Sequence, residues 1–169
     1  MPRPLAAEFP EYFARYINRV DTDSLHEAVK MYSAPLEKFY KDLPESKADH
    51  RYAEGKWTLK ELLQHIVDTE RVMAYRILRI ARKDKTPLAS FDENSFARHA
   101  NAAARSFDSI KEEFVATRKA TDLLIRSLNE EQLSESGIAS NLPVTANAVG
   151  YIVFGHMLHH QKLIEERYL

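Results

Sequence analysis

Two histidines, His156 and His160, lie four positions apart near the end of the sequence. In a helix this spacing puts both side chains on one face, with Cβ atoms about 5–6 Å apart. Neutral imidazole is the commonest protein ligand for transition metals, and two rings at this separation can share one ion. The pair therefore predicts two ligands of a metal site.

The residues around this pair predict that it is buried. Its helical face also carries the apolar residues Val149, Ile152, Val153, Leu163 and Ile164. A polar ring in a core-facing stripe is costly unless it finds a partner. A metal ion would be such a partner for both rings; the alternative is two buried histidines that bond to protein groups.

A third ligand would have to come from another helix, and His65 is the candidate. It lies at the edge of the apolar stripe of an earlier helix, where a side chain can point along a helix–helix seam. Three imidazoles would leave a coordination position for water or substrate, as in catalytic zinc sites. The alternative for His65 is a half-buried ring bonded to a carbonyl or carboxylate.

The other histidines have more ordinary explanations. His159 is a rival ligand, but it points about 60–100° away from the stripe. We expect it behind the ligands or at the surface, and we expect His26, His50 and His99 at the surface or its boundary.

Several residues near His65 could support its ring. Asp68 is the candidate partner for its second nitrogen, as carboxylates often are for metal-bound imidazoles. Glu61 could do the same, although a capping box with Thr58 already explains it. We expect Trp57 to be a packing anchor and Asp92-Glu93 to be a solvated helix start.

Composition and missing motifs exclude several classes of function. The chain has 169 residues, a net charge of −1 and no cysteine. It therefore lacks thiolate metal ligands, and its charge gives no reason to expect nucleic acid or an anionic membrane as partner. No signal peptide is visible, and we expect a cytoplasmic protein. No phosphate-binding glycine loop, nucleophile motif, H-E-x-x-H or di-iron Glu-x-x-His repeat occurs.

Helical periodicity predicts an all-α fold in one domain, residues 1–169, with 1–20 as an N-terminal arm that contains about one short turn of helix. Four amphipathic helices with long connections predict a four-helix bundle that allows non-sequential packing. Pro35 should kink or split the first helix. The predicted helices cover about 24–43, 58–83, 96–128 and 145–169, and residues 84–95 and 129–144 are predicted connections.

Three stretches together resemble the DinB-like (DNA-damage-inducible) superfamily. They are residues 52–71 (YAEGKWTLKELLQHIVDTER), residues 84–93 with Asp84-Lys85-Thr86-Pro87-Leu88 and Phe91-Asp92-Glu93, and the tail with Gly155-His156-Met157-Leu158-His159-His160 and Glu165-Glu166-Arg167-Tyr168-Leu169. The resemblance covers about residues 15–169. It implies a four-helix bundle with a long crossover connection.

The resemblance also implies a divalent metal ion (Zn, Ni or Fe) held by His65, His156 and His160, and a homodimer. Family members with known activities include S-transferases that use a low-molecular-weight thiol (bacillithiol, mycothiol or glutathione) and isomerases. Pro35, Met157 and Leu158 depart from the family pattern. Despite the family's name, we expect no binding to DNA.

Two functions follow from these patterns. The first is a metal-dependent enzyme that activates water or a low-molecular-weight thiol against a small-molecule substrate, as a hydrolase or an S-transferase. The second is a non-catalytic metal-binding or scaffold bundle linked to the stress response. The sequence identifies no general base.

Overall fold

The computed structural model describes residues 1–169 as a helical protein with one short hairpin. Its helices are α1 (Ala14–Ile17), α2 (Leu25–Lys41), α3 (Leu59–Ala81), α4 (Glu93–His99), α5 (Phe107–Ser127), α6 (Glu130–Ser134) and α7 (Ala146–Arg167), and its strands are β1 (Ser136–Ala139) and β2 (Leu142–Thr145). None of these helices combines the length and the apolar character that crossing a bilayer would require.

The four long helices α2, α3, α5 and α7 form a bundle, as predicted. Helix α3 packs against α5 and α7, and α2 packs against the same two helices. Helices α2 and α3 therefore occupy diagonal corners, although they follow each other in the sequence. The connection between them crosses the bundle, so the helices pack non-sequentially, which the predicted bundle allowed.

Side-chain caps fix the beginnings of these helices where the sequence predicts them. Ser24 caps α2 and Thr145 caps α7. At the start of α3 the Glu61 amide donates to the Thr58 hydroxyl at 3.2 Å, and the Thr58 amide donates to the Glu61 carboxylate at 2.7 Å. This capping box fixes the residue at which the helix that carries His65 begins.

Helix α7 is the central element of the fold. Every residue from Val144 to Met157 is buried. Helices α2 and α3 pack against α7, and so do α1 from the N-terminal arm and the short α6. The arm thus has a packing role, and it contains α1 and two 3₁₀ turns (Ala6–Glu8 and Glu11–Phe13) rather than about one turn of helix.

The prediction of one continuous third helix over residues 96–128 is wrong in its first part. The chain forms the separate helix α4, then a break that contains a 3₁₀ turn at Ala102–Ala104, and only then α5. Asn101 lies in the left-handed region with φ of 54°, which no α-helix can accommodate without a break. The predicted connection from 84 to 95 accordingly ends earlier, at Asp92, which caps α4.

The predicted loop over 129–144 contains regular structure. Helix α6 is followed by an antiparallel hairpin whose last pair is Ala139 and Leu142. Ser140 and Asn141 connect the strands with φ of 54° and 65°. Two consecutive positive φ values make the type I′ turn that suits the twist of a two-residue hairpin.

Pro35 does not split α2. The helix continues from Leu25 to Lys41 with Pro35 inside it. Proline removes one backbone donor from the helix, and packing against α5 and α7 maintains the helix on both sides of the residue.

Candidate metal centre

The three predicted ligands meet where α3 packs against α7. His65 lies in the second turn of α3, and His156 and His160 lie one turn apart in α7. All three are buried, with 6%, 7% and 7% of their surfaces exposed. The structure therefore brings together rings that come from two distant segments of the chain.

The ring nitrogens of the three histidines converge on one point. His156 Nε2 lies 3.1 Å from His65 Nε2 and 3.0 Å from His160 Nε2. All three potential ligand atoms lie within 4.8 Å of one another. Nitrogens that share a tetrahedral zinc ion at about 2.0–2.1 Å are about 3.3 Å apart, so this spacing fits a common cation.

Burial keeps these imidazoles in their neutral form. It lowers the pKa of His65 to about 4. Burial, followed by the neighbouring rings of the cluster, also lowers the pKa of His156 and His160 well below the ordinary value. Neutral imidazoles carry the free lone pair that a metal ion needs. The donor set and its electrostatics therefore fit a divalent cation.

The support of the His65 ring differs from the prediction. Its Nδ1 makes a long contact of 3.5 Å with the Thr69 hydroxyl, one helical turn further on. Asp68 instead accepts a hydrogen bond from Gln64 at 3.0 Å, so it does not orient His65. Glu61 is engaged in the capping box.

Trp57 also packs against the ring of His65. The two rings are 4.7 Å apart between centroids and are tilted by 39°. The Trp57 carbonyl accepts a hydrogen bond from Tyr168 at 2.8 Å, which ties the start of α3 to the end of α7. Trp57 is therefore the expected packing anchor, and it also forms part of a pocket wall.

His159 stands outside the cluster, as expected. Its half-buried ring packs edge-on against His160 at 5.0 Å and against Tyr16 at 5.6 Å. His50 and His99 are exposed and His26 is half-buried, in agreement with their surface or boundary assignment.

Tyr16 covers the cluster, and the sequence analysis missed it. Its ring lies 5.5 Å from that of His156. The arm can come this close because α7 has a glycine at the contact: a Cβ on Gly155 would lie 2.1 Å from the Tyr16 carbonyl oxygen. A glycine inside a buried helix was the available signal, since it marks a close backbone approach.

Two pockets reach different members of the histidine cluster. One encloses about 140 Å³ and touches His65 and His156. The other encloses about 260 Å³ and touches His160 and Trp57. A cation held by the three rings would therefore be open to small molecules, as a catalytic site requires.

Comparisons with known proteins agree with this fold. The model of the DinB superfamily matches residues 33–164. A proposed metal-dependent hydrolase of Oceanobacillus iheyensis is 29% identical over 122 residues, which make up 70% of this chain and 69% of that protein.

Two solved structures share the architecture. YfiT of Bacillus subtilis, described as a probable metal-dependent hydrolase with an unusual four-helix bundle topology, has a TM-score of 0.68 at 21% identity, over 96% of this chain and 89% of YfiT. A mycothiol-dependent maleylpyruvate isomerase has a TM-score of 0.66 at 12% identity, over 91% of this chain and 60% of its own. At such identities the likeness shows the fold alone. Since the family model spans most of the sequence and the bundle topology is shared, the chain belongs to the DinB superfamily.

Proposed function

We propose that this protein is a metal-dependent hydrolase of a small-molecule substrate, with its divalent cation held by His65, His156 and His160. The observation that carries the proposal is the convergence of three buried, neutral imidazoles from α3 and α7 within 4.8 Å. The relative from Oceanobacillus iheyensis and YfiT, which carry the same description, support it.

The bound cation would supply Lewis-acid chemistry, lowering the pKa of water and polarising the bond to be cleaved. The residues of the chain do the rest. The three Nε2 atoms would hold the cation, while Trp57 packs against the ring of His65 and Tyr16 against the ring of His156. The 140 Å³ pocket gives a substrate access to the face formed by His65 and His156.

Thiol transfer is the second candidate. The separate 260 Å³ pocket reaches His160 and is also lined by Tyr52, Lys56 and Trp57, which gives room for a low-molecular-weight thiol next to the cluster. The fold shared with a mycothiol-dependent isomerase is consistent with that arrangement.

The metal content of the protein tests the site. The chain is purified without a polyhistidine tag or chelator, and bound metals are quantified by mass spectrometry. We expect about one divalent ion per chain in the wild type and in His159→Ala, and almost none in His160→Ala. His159→Ala is the matched control because it removes a neighbouring imidazole that lies outside the cluster. Wild-type protein that takes up no zinc, nickel or ferrous ion on reconstitution would overturn the proposal in favour of a non-catalytic scaffold.

A second experiment separates hydrolysis from thiol transfer. Cobalt(II) is loaded in place of the native metal, and glutathione, bacillithiol and mycothiol are titrated in turn. A new intense absorption band would show a thiolate on the metal and favour the transferase. An unchanged spectrum with all three thiols, together with cleavage of p-nitrophenyl esters that His160→Ala lacks, would favour the hydrolase.

A further inference from the structure

Arg76 is a buried cation in the wall of the 140 Å³ pocket. It lies on α3, eleven positions after His65, and only 4% of its surface is exposed. At 1.5 Å per residue this places its Cα about 16 Å from that of His65 along the helix. The same pocket touches Arg76, His65 and His156, so the guanidinium and the histidine cluster belong to one cavity.

The protein gives this guanidinium only neutral partners. Its Nη2 donates to the Ala89 carbonyl at 2.7 Å and to the Ser140 hydroxyl at 3.0 Å. Its Nη1 reaches only the Met73 sulfur, at 3.6 Å, and its buried Nε has no hydrogen-bond acceptor at all. Arg76 forms no ion pair, which is unusual because buried charges are ordinarily paired.

The other buried arginine of the chain shows what a structural role looks like. Arg118 is fully buried and forms ion pairs with Glu70 at 3.0 Å and with Asp122 at 2.8 Å. Burial lowers the pKa of Arg76, and no neighbouring carboxylate acts against that shift. Arg118 thus neutralises charge within the protein, whereas Arg76 carries a positive charge to the pocket without an internal counter-ion.

We propose that Arg76 binds the anionic end of the substrate and that the substrate is an extended carboxylate. The planar guanidinium fork matches a carboxylate in two parallel hydrogen bonds. The reacting bond would then lie near His65 and His156 at the other end of the pocket. This inference rests on the proposed function for the reaction, but the anion site itself does not require the metal.

The remaining lining residues agree with such a ligand. The aromatic rings of Phe13, Tyr16 and Phe91 line the pocket together with Arg76 and the histidines. This lining suits a ligand whose carboxylate is attached to an apolar chain or a flat ring. Glu93, exposed and without an ion pair to Arg76, also lines the pocket. Its charge disfavours a second negative charge on the ligand, so a monoanion should bind better than a dianion.

Binding of hexanoate, with its neutral counterpart hexanamide, tests the anion site. Both are titrated into metal-free and zinc-loaded wild-type protein at pH 8, where burial keeps His65 neutral. Binding is followed by nitrogen-15 NMR of the arginine Nε–H groups. We expect saturable binding of hexanoate in both forms, with the Arg76 Nε–H resonance shifting, and at least about tenfold weaker binding of hexanamide.

Variants separate anion binding by Arg76 from its structural hydrogen bonds to Ala89 and Ser140 and from metal binding. We expect Arg76→Met to weaken hexanoate binding at least about tenfold and to retain one metal ion per chain. Arg79→Met is the matched control, because Arg79 lies one turn further on and is already paired with Asp84. Should Arg76→Met not fold, Arg76→Lys keeps the charge, loses the fork and should still bind hexanoate less tightly than the wild type.

Either of two results would overturn the anion site: an Arg76 Nε–H resonance that hexanoate leaves in place, or equal hexanoate affinity in Arg76→Met and Arg79→Met. His160→Ala keeps this test apart from the proposed function. Hexanoate that still binds through Arg76 in this metal-free variant supports the anion site whatever the reaction proves to be.

Discussion

His65 and His156 are 91 positions apart in the sequence, yet their Nε2 atoms lie 3.1 Å apart in the core. If neither Nε2 carries a hydrogen, the two atoms cannot form a hydrogen bond with each other. Burial also disfavours a positively charged ring at either position. A shared cation resolves this contact, since it accepts both lone pairs at once.

Metal removal should therefore lower the thermal stability of the wild-type protein. At a free metal concentration about a hundredfold above the dissociation constant, binding stabilises the folded state by about 2.7 kcal/mol, or about 5–10 °C in Tm for a chain of this size. Calorimetry with zinc and then with a chelator measures the shift. His159→Ala should shift like the wild type, and a shift of the same size in His156→Gln would contradict the assignment.

The metal-free protein should lose stability as the pH falls from about 6.5 towards 4. The pKa of His65 is about 4 in the folded protein and 6.5 in the unfolded chain, so in this window the unfolded chain binds a proton that the folded protein does not. Stability is full above pH 6.5, and by pH 4 His65 alone accounts for a loss of about 3 kcal/mol. The pKa values of His156 and His160 are shifted in the same direction.

Urea unfolding of chelator-treated protein at several pH values measures this loss. Replacing one buried ring by an amide that does not titrate, as in His65→Asn, should make stability less dependent on pH. An equally steep dependence in that variant would show that other groups cause it.

Gly155→Ala should destabilise the protein and disturb the metal site together. The added Cβ would meet the Tyr16 carbonyl, a backbone group that cannot move without displacing the arm. We expect a loss of about 1–3 kcal/mol in unfolding free energy and weaker zinc binding. Gly150→Ala is the control on the same helix, because its Cβ meets the flexible Leu25 side chain and should cost stability while zinc affinity is retained.

Arg118→Met should destabilise the bundle by about 3–5 kcal/mol, because it leaves the buried carboxylates of Glu70 and Asp122 without a counter-ion. Burial already raises the pKa of Glu70 more than Arg118 lowers it. Lys38→Met, which removes the exposed pair with Asp42, should change stability far less, because solvent screens that pair. Similar losses in the two variants, measured by chemical denaturation, would argue against this role of the buried pair.

The sequence predicts what local patterns determine. Helix starts at Ser24, Thr58 and Thr145 follow from capping residues next to periodic apolar stripes, and the structure confirms them. The spacing of His156 and His160 places both rings on one face by helix geometry alone. The encounter with His65 required the long-range packing of α3 on α7, for which the sequence offered only a boundary position.

Features that depend on single backbone conformations or on docking were not predictable in the same way. The helix break at Asn101 and the turn at Ser140 and Asn141 depend on a few positive φ values. These leave no visible mark on the periodicity of apolar residues in the sequence. Thr69 and Asp68 both lie about one helical turn after His65, and the sequence does not show that Thr69 contacts its ring while Asp68 binds Gln64.

The diagonal placement of α2 and α3 affects how the protein folds. The contacts that close the core join distant parts of the chain: Tyr40 donates to the Met157 carbonyl across 117 positions, and Asn147 donates to the Pro2 carbonyl across 145. Contacts between such distant positions cost chain entropy before they contribute to stability. Folding should therefore be slower than in a bundle whose consecutive helices pack against each other. Until α7 has docked on α3, His65 lies too far from His156 and His160 to share a cation with them, so metal binding by all three rings should report this long-range contact.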